Sequence, residues 1–208
     1  MSELNANFLI INLRMKVQSL IFILGLGLLV LACQPKKQIG GSDESNQRLS
    51  GEEEFQQYLD RKANAFEGKQ APAFELTDLE GKKYTNASLK GKVVLLNFWF
   101  MACAPCITEV ASLKKLKEDY AAKGLELIAV STDPESKLGA FVKEKNINYP
   151  VVADGSVWGK KYKVSSYPTT YLIDQKGMIR KVFIGASDWD ATYTYMEVRP
   201  HLEKILAE

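Results

Sequence analysis

One histidine, three cysteines and a formal net charge of only +2 set the first limits on this chain of 208 residues. With 27 basic side chains against 25 acidic ones, the composition lacks the basic surplus that nucleic-acid binding normally requires, so no nucleic-acid partner is expected. A disulfide-stapled miniature fold needs more cysteines than Cys33, Cys103 and Cys106 provide, and the chain is long enough to bury a core without them. Its aromatic content of 10% and the absence of a short period also exclude collagen-like, coiled-coil and wholly disordered chains. No apolar run is long enough for a comfortable membrane span. The longest, Leu20 to Ala32, has thirteen residues, whereas a helix needs about 20 to cross a bilayer core.

That run follows Arg14 and Lys16 and closes on Ala32-Cys33, the layout of an export signal over residues 1–32. Met15-Lys16 would itself make a compact start. Val30-Leu31-Ala32-Cys33 resembles a relaxed bacterial lipobox, and the resemblance implies cleavage before Cys33 and lipidation of that residue; the other reading is an unmodified thiol closing a short membrane helix. A lipid-bearing Cys33 would hold the protein at a membrane, and Gln34, in place of a retaining Asp, points toward an outer membrane where the host has two.

Residues 33–51 are rich in Gln, Ser, Gly, Asn and charge and predict a flexible tether. Over residues 52–67, Phe55, Leu59, Ala63 and Phe66 recur at helical spacing and predict an amphipathic helix. From Gly68 to Glu208 the pattern is that of one α/β unit. Phe74 to Thr77 and Lys83 to Thr85 flank a turn; Lys92 to Trp99 is a buried-strand pattern; Ile107 to Lys123 carries Val110, Leu113, Leu116 and Tyr120 on one helix face; and Leu125 to Ser131 is a second strand. Further on come a helix from Asp133-Pro134 to Lys145, an extended piece at Tyr149 to Val152, a helical turn or two at Val157 to Lys163, and a hairpin of Thr169 to Asp174 with Met178 to Ile184. A closing helix is predicted from Asp188 to Leu206, kinked or broken at Pro200.

The chemistry concentrates at Cys103-Ala104-Pro105-Cys106, where a buried strand runs into a helix beginning at the first cysteine. Cysteines three apart on a helix lie one turn apart on one face, close enough to form and break a disulfide. At the helix N-terminus Cys103 meets unpaired N–H groups and the positive dipole end, which favours a thiolate, so Cys103 is the expected attacking sulfur and Cys106 the resolving one. Pro105 suits an early helical turn, where its missing N–H would be unpaired. A structural disulfide across two residues closes too small a loop to stabilise much. A zinc site wants four ligands, and after these two cysteines only His201 remains among the soft donors; no metal is expected.

With these residues the chain resembles the thioredoxin superfamily, and more closely the TlpA/ResA-like thiol-disulfide oxidoreductases of bacterial envelopes. The resemblance rests on Ala71 to Leu76, Val94 to Trp99, the Cys-x-x-Cys pair and Tyr167 to Asp174. It implies a thioredoxin-like α/β fold, a central mixed sheet flanked by helices, with an N-terminal hairpin and a βα insertion. It implies a cis Pro168 facing the disulfide and a Tyr167 backbone that pairs with an incoming chain. Trp99 is expected to pack beneath the site, with a contribution to substrate binding as one reading and a plain core tryptophan as the favoured one. Glu109 stands where these proteins carry an acidic residue, which makes it a candidate for proton transfer, and support of the helix start is its other reading. Asn97 occupies the place of the buried Asp of thioredoxins themselves, and Phe100, Met101 and Ala102 depart from the Trp common before the first cysteine. Trp158, Trp189, Tyr193 and Tyr195 are read as packing residues and His201 as an exposed helix residue.

The expected function is a disulfide reductase that needs no bound cofactor and is monomeric in its catalytic unit. Its partners would be disulfide-bonded or thiol-bearing envelope proteins, an apocytochrome among the compatible clients, together with a membrane or soluble electron donor. Two other classes were weighed. A peroxiredoxin-like peroxidase normally has Thr or Ser three residues before its nucleophile, where this chain has Phe100; copper delivery uses a nearby His, and none precedes His201.

Overall fold

A computed structural model describes residues 50–208; the signal, Cys33 and most of the tether read above lie outside the described residues. The first element, α1 (Gly51–Asn64), is closed at its start by a capping box: the Ser50 hydroxyl accepts from the Glu53 N–H while the Glu53 carboxylate accepts from the Ser50 N–H. Ala63 is buried and Leu59 partly so, but Phe55 is 58% exposed, so the packed stripe covers only the second half of the helix. No helix among the described residues is long and apolar enough to cross a membrane.

A two-stranded antiparallel hairpin follows, β1 (Glu75–Thr77) with β2 (Lys83–Thr85). Asp78 shapes its turn, one carboxylate oxygen accepting from the N–H groups of Glu80 and Lys82 and the other from the Tyr84 hydroxyl. The main sheet has five strands in the order β5-β4-β3-β6-β7. These are β3 (Val93–Trp99), β4 (Leu125–Ser131), β5 (Val151–Val152), β6 (Thr169–Ile173) and β7 (Ile179–Ile184). β3 lies at the centre, parallel to β4 from Val93↔Leu125 to Trp99↔Ser131 and antiparallel to β6 from Val94↔Ile173 to Phe98↔Thr169.

Every residue of β3 is buried, because helices cover one face and the hairpin with its aromatic layer covers the other. Side chains alternate between the faces. Val93, Leu95 and Trp99 join Leu113, Leu116 and Tyr120 of α3 (Val110–Tyr120) and Val198, Leu202 and Ile205 of α6 (Tyr193–Leu206). Val94, Leu96 and Phe98 join Phe74, Leu76, Tyr84, Tyr162 and Tyr171 on the opposite side. Between β4 and β6 the chain inserts α4 (Glu135–Glu144), β5 and α5 (Ser156–Lys161). The mixed sheet, hairpin and insertion are those expected.

Several boundaries differ from expectation for local reasons. The helix expected at the first cysteine begins there, as α2 (Ala104–Thr108) capped by Cys103, but it is separated from α3 at Glu109, where φ −72° and ψ −12° depart slightly from the helix. Its end is where the sequence placed it: after a short 3-10 turn, Gly124 takes φ 103°, a conformation open to glycine. The closing helix starts at Tyr193 and not at Asp188. The intervening residues form a polar turn in which the Ser187 hydroxyl accepts from the N–H groups of Trp189 and Asp190, and Asp190 accepts from the N–H of Thr192. Nor does Pro200 break that helix, which runs on as one element through Leu206. The carbonyl deprived of a donor by Pro200 belongs to Met196, on the solvent face, where water can replace the missing bond.

Leu116 is 0% exposed between the sheet and α6. Its replacement by Ala should leave a cavity and cost about 3 kcal/mol. This is expected as a lowered denaturation midpoint in urea at unchanged slope.

Candidate active site

The end of β3 delivers the chain to the two cysteines, and an acidic side chain from the neighbouring strand fixes the connection. Asp133, just beyond β4, accepts at one carboxylate oxygen from the Met101 N–H at 2.7 Å and from the Ser131 hydroxyl at 2.8 Å. Thr132 donates its N–H to the carbonyl of Trp99 at 3.3 Å. Thus Phe100, Met101 and Ala102 cross from strand to helix over a pinned path.

Cys103 caps α2 with extended backbone, φ −86° and ψ 102°, and its Sγ accepts from the Cys106 N–H at 3.3 Å. The two sulfurs are bonded at 2.01 Å with Cα atoms 5.2 Å apart. Cys103 is 6% exposed and Cys106 2%, in a shallow mouth between the more exposed Ala102 and Ala104. Pro105 lies in the first turn of α2. No charged residue occurs from Phe98 to Thr108, so the mouth itself is neutral.

Tyr167–Pro168 is a cis peptide bond. It immediately precedes β6, whose Thr169 pairs in register with Phe98, and the Tyr167 ring meets the Phe100 ring edge-on at 5.3 Å. The Pro168 carbonyl accepts from the Gly185 N–H at 2.8 Å. Among the described residues, the backbone N–H and C=O of Tyr167 engage no partner.

Behind the cysteines lies a polar cluster in otherwise apolar surroundings. Asn97 points to the same side of β3 as Trp99, and its amide nitrogen donates to Glu109 Oε1 at 2.9 Å and to the Thr170 hydroxyl at 2.9 Å. The Thr194 hydroxyl donates to Glu109 Oε2 at 3.1 Å. Glu109 is 2% exposed; burial drives its carboxyl pKa up to about 8, against the opposing pull of the two hydrogen bonds. A cavity of about 320 Å³ between α1, β7 and α6 reaches Glu109, Thr170 and Thr194, which connects this acid to the outside by a way separate from the cysteine mouth. The buried Tyr149 hydroxyl is held neutral far above its usual range, first by burial and then by the Glu109 charge.

Cys103, Cys106, Glu109, Tyr167 and Pro168 therefore belong to one region, joined through β3 and β6. Trp99 does not offer a client a face: at 3% exposure it is a core residue leaning on Phe141, because odd positions of β3 point into the helix-covered layer. Trp189, read as packing, is 87% exposed, and Tyr193 is 43% exposed, since the first lies within and the second just after the polar turn of Ser187 to Asp190. Trp158 and Tyr195 are partly buried, and His201 is exposed. Asp133, Thr170 and Thr194 escaped the reading of the sequence. Only the Asp133-Pro134 pair had a local signal, and it was one for a helix start. No cluster of three or more His, Cys, Asp or Glu side chains suited to a metal occurs among the described residues.

A family match extends over residues 68–182, which takes in the hairpin, the disulfide and most of the sheet. The chain belongs to the AhpC/TSA family. Within it, the chain is 38% identical over 135 residues to the thioredoxin-like protein YneN of Bacillus subtilis, covering 63% of this chain and 79% of that one. It is 36% identical over 145 residues to the thiol-disulfide oxidoreductase ResA of Bacillus cereus, covering 69% and 84%. Among solved structures, the thioredoxin domain of a thiol-disulfide oxidoreductase from Bacteroides vulgatus matches with TM-score 0.56 and 28% identity over 65% of this chain and 96% of that domain. A thiol:disulfide interchange protein from Bacteroides sp. matches with TM-score 0.56 and 27% identity over 66% and 90%. This family member is a thiol-disulfide oxidoreductase with a thioredoxin-like fold, and its close cysteine pair fits a dithiol-disulfide couple.

The shifted Glu109 carboxyl has a measurable consequence. The folded protein keeps a proton there that the unfolded chain releases above its ordinary value of 4.5, so this group's contribution to stability falls as pH rises from about 4.5 to about 8. Glu109→Gln keeps an acceptor for Asn97 and removes the titration. In thermal unfolding of the oxidised protein from pH 5 to 9, the variant should lose less stability with rising pH than the parent; parallel curves would place the titration elsewhere.

Proposed function

We propose that this oxidoreductase works as a disulfide reductase on polypeptide clients in a bacterial envelope. The observation that carries the reading is a capped cysteine pair just beyond the end of β3 together with, at the start of the neighbouring β6, a cis Pro168 and a Tyr167 backbone without a partner among the described residues. A client disulfide lies in the mouth with its chain extended along Tyr167. Cys103, as thiolate, attacks one client sulfur; the Cys103–client bond forms, and the second client sulfur leaves as a thiolate and takes a proton. Cys106 gives its proton to Glu109 or to water and attacks Cys103 Sγ, closing the Cys103–Cys106 bond and releasing the first client sulfur, which is protonated in turn. The client gains two electrons and two protons; the protein dithiol loses them, and a thiol donor must restore it.

The reducing direction is supported by the absence of stabilising charge. Oxidants of this chemistry favour the reduced form by strong stabilisation of a thiolate. Here the motif is neutral, α2 has only five residues, and the groups the site draws on, Glu109 and Asp133, are acids that give a thiolate no stabilising positive charge. Glu109 in this reading exchanges protons with Cys106 through its own opening to solvent. A lipid on Cys33 and the tether of residues 33–51 would hold the unit at a membrane surface within reach of envelope clients, cytochrome precursors among them.

Replacing each cysteine by Ser separates the two steps. Cys103→Ser should abolish reduction of an insulin disulfide, a loss of at least about a thousandfold. Cys106→Ser should instead accumulate a mixed disulfide with the client, visible as an added mass that reductant removes. Turnover by Cys103→Ser at the parental rate would refute the assignment.

A further inference from the structure

Trp189 is the most exposed large apolar side chain of the described residues, at 87%, in a segment that is firmly held. Gly185, with φ 87°, turns the chain out of β7 while donating its N–H to the carbonyl of cis Pro168. Farther along, the Asp188 carbonyl accepts from the Thr108 hydroxyl of α2 at 3.1 Å, and the Ala191 carbonyl accepts from the Ser112 hydroxyl of α3. Ser187 and Asp190 complete the turn with the bonds described above. The loop thus spans from cis Pro168 to the helix that carries the cysteines, and presents an exposed indole whose neighbours in sequence, Asp188 and Asp190, are exposed acids; the Asp190 carboxylate accepts from the N–H and hydroxyl of Thr192. Tyr193 and Met196, on the first turns of α6, extend the exposed apolar strip, and Glu197 beside them adds a third acid.

An exposed tryptophan on a hydrogen-bonded loop is unusual in a monomer and is the side chain most often found carrying binding energy at interfaces. The mouth itself lacks an aromatic of this kind: Ala102 and Ala104 are its exposed rim. Phe100 and Tyr167 nearby are only partly exposed and pack on each other, so this loop, tied to Pro168 on one side and to α2 on the other, adds the larger exposed apolar surface. The charge pattern selects among clients. An exposed indole with an exposed acid on either side of it in the sequence suits a lysine or arginine, by cation–π contact and ion pairing together. Asp190 stays ionised, its carboxyl held below the usual range by hydrogen bonds from Thr192.

We propose that Trp189, flanked by Asp188 and Asp190, is a specificity-determining residue that docks a basic residue beside the client disulfide. The proposal rests on the disulfide-exchange reading and deepens it by naming the chemistry of the preferred client. Such a client carries Lys or Arg a few residues from its cysteine, next to the stretch that pairs with Tyr167.

The test compares three probes with the reduced protein: hydroxyethyl disulfide, which is small and neutral, and two synthetic peptides that carry a mixed disulfide and differ only in Lys or Glu three residues from the cysteine. The parent should react at least about tenfold faster with the Lys peptide than with the Glu peptide. In Trp189→Ala the rate on the Lys peptide relative to hydroxyethyl disulfide should fall about tenfold, and Trp189→Phe should recover most of it. The double change Asp188→Asn with Asp190→Asn, which keeps the loop's acceptors, should erase the Lys preference. Unchanged ratios in Trp189→Ala, or equal rates on both peptides in the parent, would overturn the proposal. So would a loss that coincides with dissociation of a dimer in sedimentation, since the strip would then serve a second copy of the chain. Failure of the parent to reduce even hydroxyethyl disulfide would instead refute the disulfide-exchange reading beneath it.

Discussion

Burial of β3 on both faces is the constraint from which the rest follows. Seven consecutive side chains leave water there, each large one contributing about 1.5–3 kcal/mol, and the strand is hydrogen-bonded to β4 on one side and β6 on the other. A segment so held cannot slide, since a slip of one residue would turn each inward side chain to the wrong layer. Its carboxyl end is therefore a fixed point. From it hang the pinned crossing through Met101, the capped cysteine of α2 and, across the register with β6, the cis Tyr167–Pro168 bond. The cysteine pair and the cis Tyr167–Pro168 bond come from segments more than sixty residues apart in the sequence, and the ladder between β3 and β6 draws the two segments together.

The same strand sets the electrostatics. Because Asn97 points to the helix-covered layer, its amide can meet a carboxyl descending from the α2–α3 junction and a hydroxyl of β6 at once. A charged Glu109 would be costly in that place, and its satisfied hydrogen bonds are what make a buried acid tolerable at all. The result is a group that can hold or release a proton near neutral pH, three residues along the chain from Cys106. Around it the mouth remains without charge, and the acids of the loop after β7 lie farther out, where they bear on which chain docks and not on the sulfur chemistry.

How much of this could be read beforehand depended on how local each signal was. The buried strand, the hairpin, the two cysteines and the helix face of Leu113, Leu116 and Tyr120 were legible because periodicity and spacing encode them within a few residues. Pro168 and Glu109 were reached through resemblance. Their partners were not: Thr170 and Thr194 are ordinary threonines in sequence and become an acceptor for Asn97 and a donor to Glu109 only through contacts 73 and 85 residues distant. Trp189 misled for the opposite reason. Composition assigns tryptophan to the interior, and only the Ser187–Asp190 turn, with its side-chain bonds to the backbone, explains why this one faces water. Pro200 likewise signalled a break that a solvent-facing carbonyl made unnecessary.

The account stands or falls on Cys103 and Cys106 being a reversible couple poised to give electrons. The direct measurement is the equilibrium reduction potential of that pair, with the protein titrated in dithiothreitol buffers and the thiols counted by alkylation mass. A neutral mouth with a buried acid behind it predicts a value close to that of thioredoxin, about −270 mV. A value near about −120 mV would make the protein an oxidant and contradict the direction assigned here, and a pair that stays bonded under excess reductant would contradict the redox role altogether.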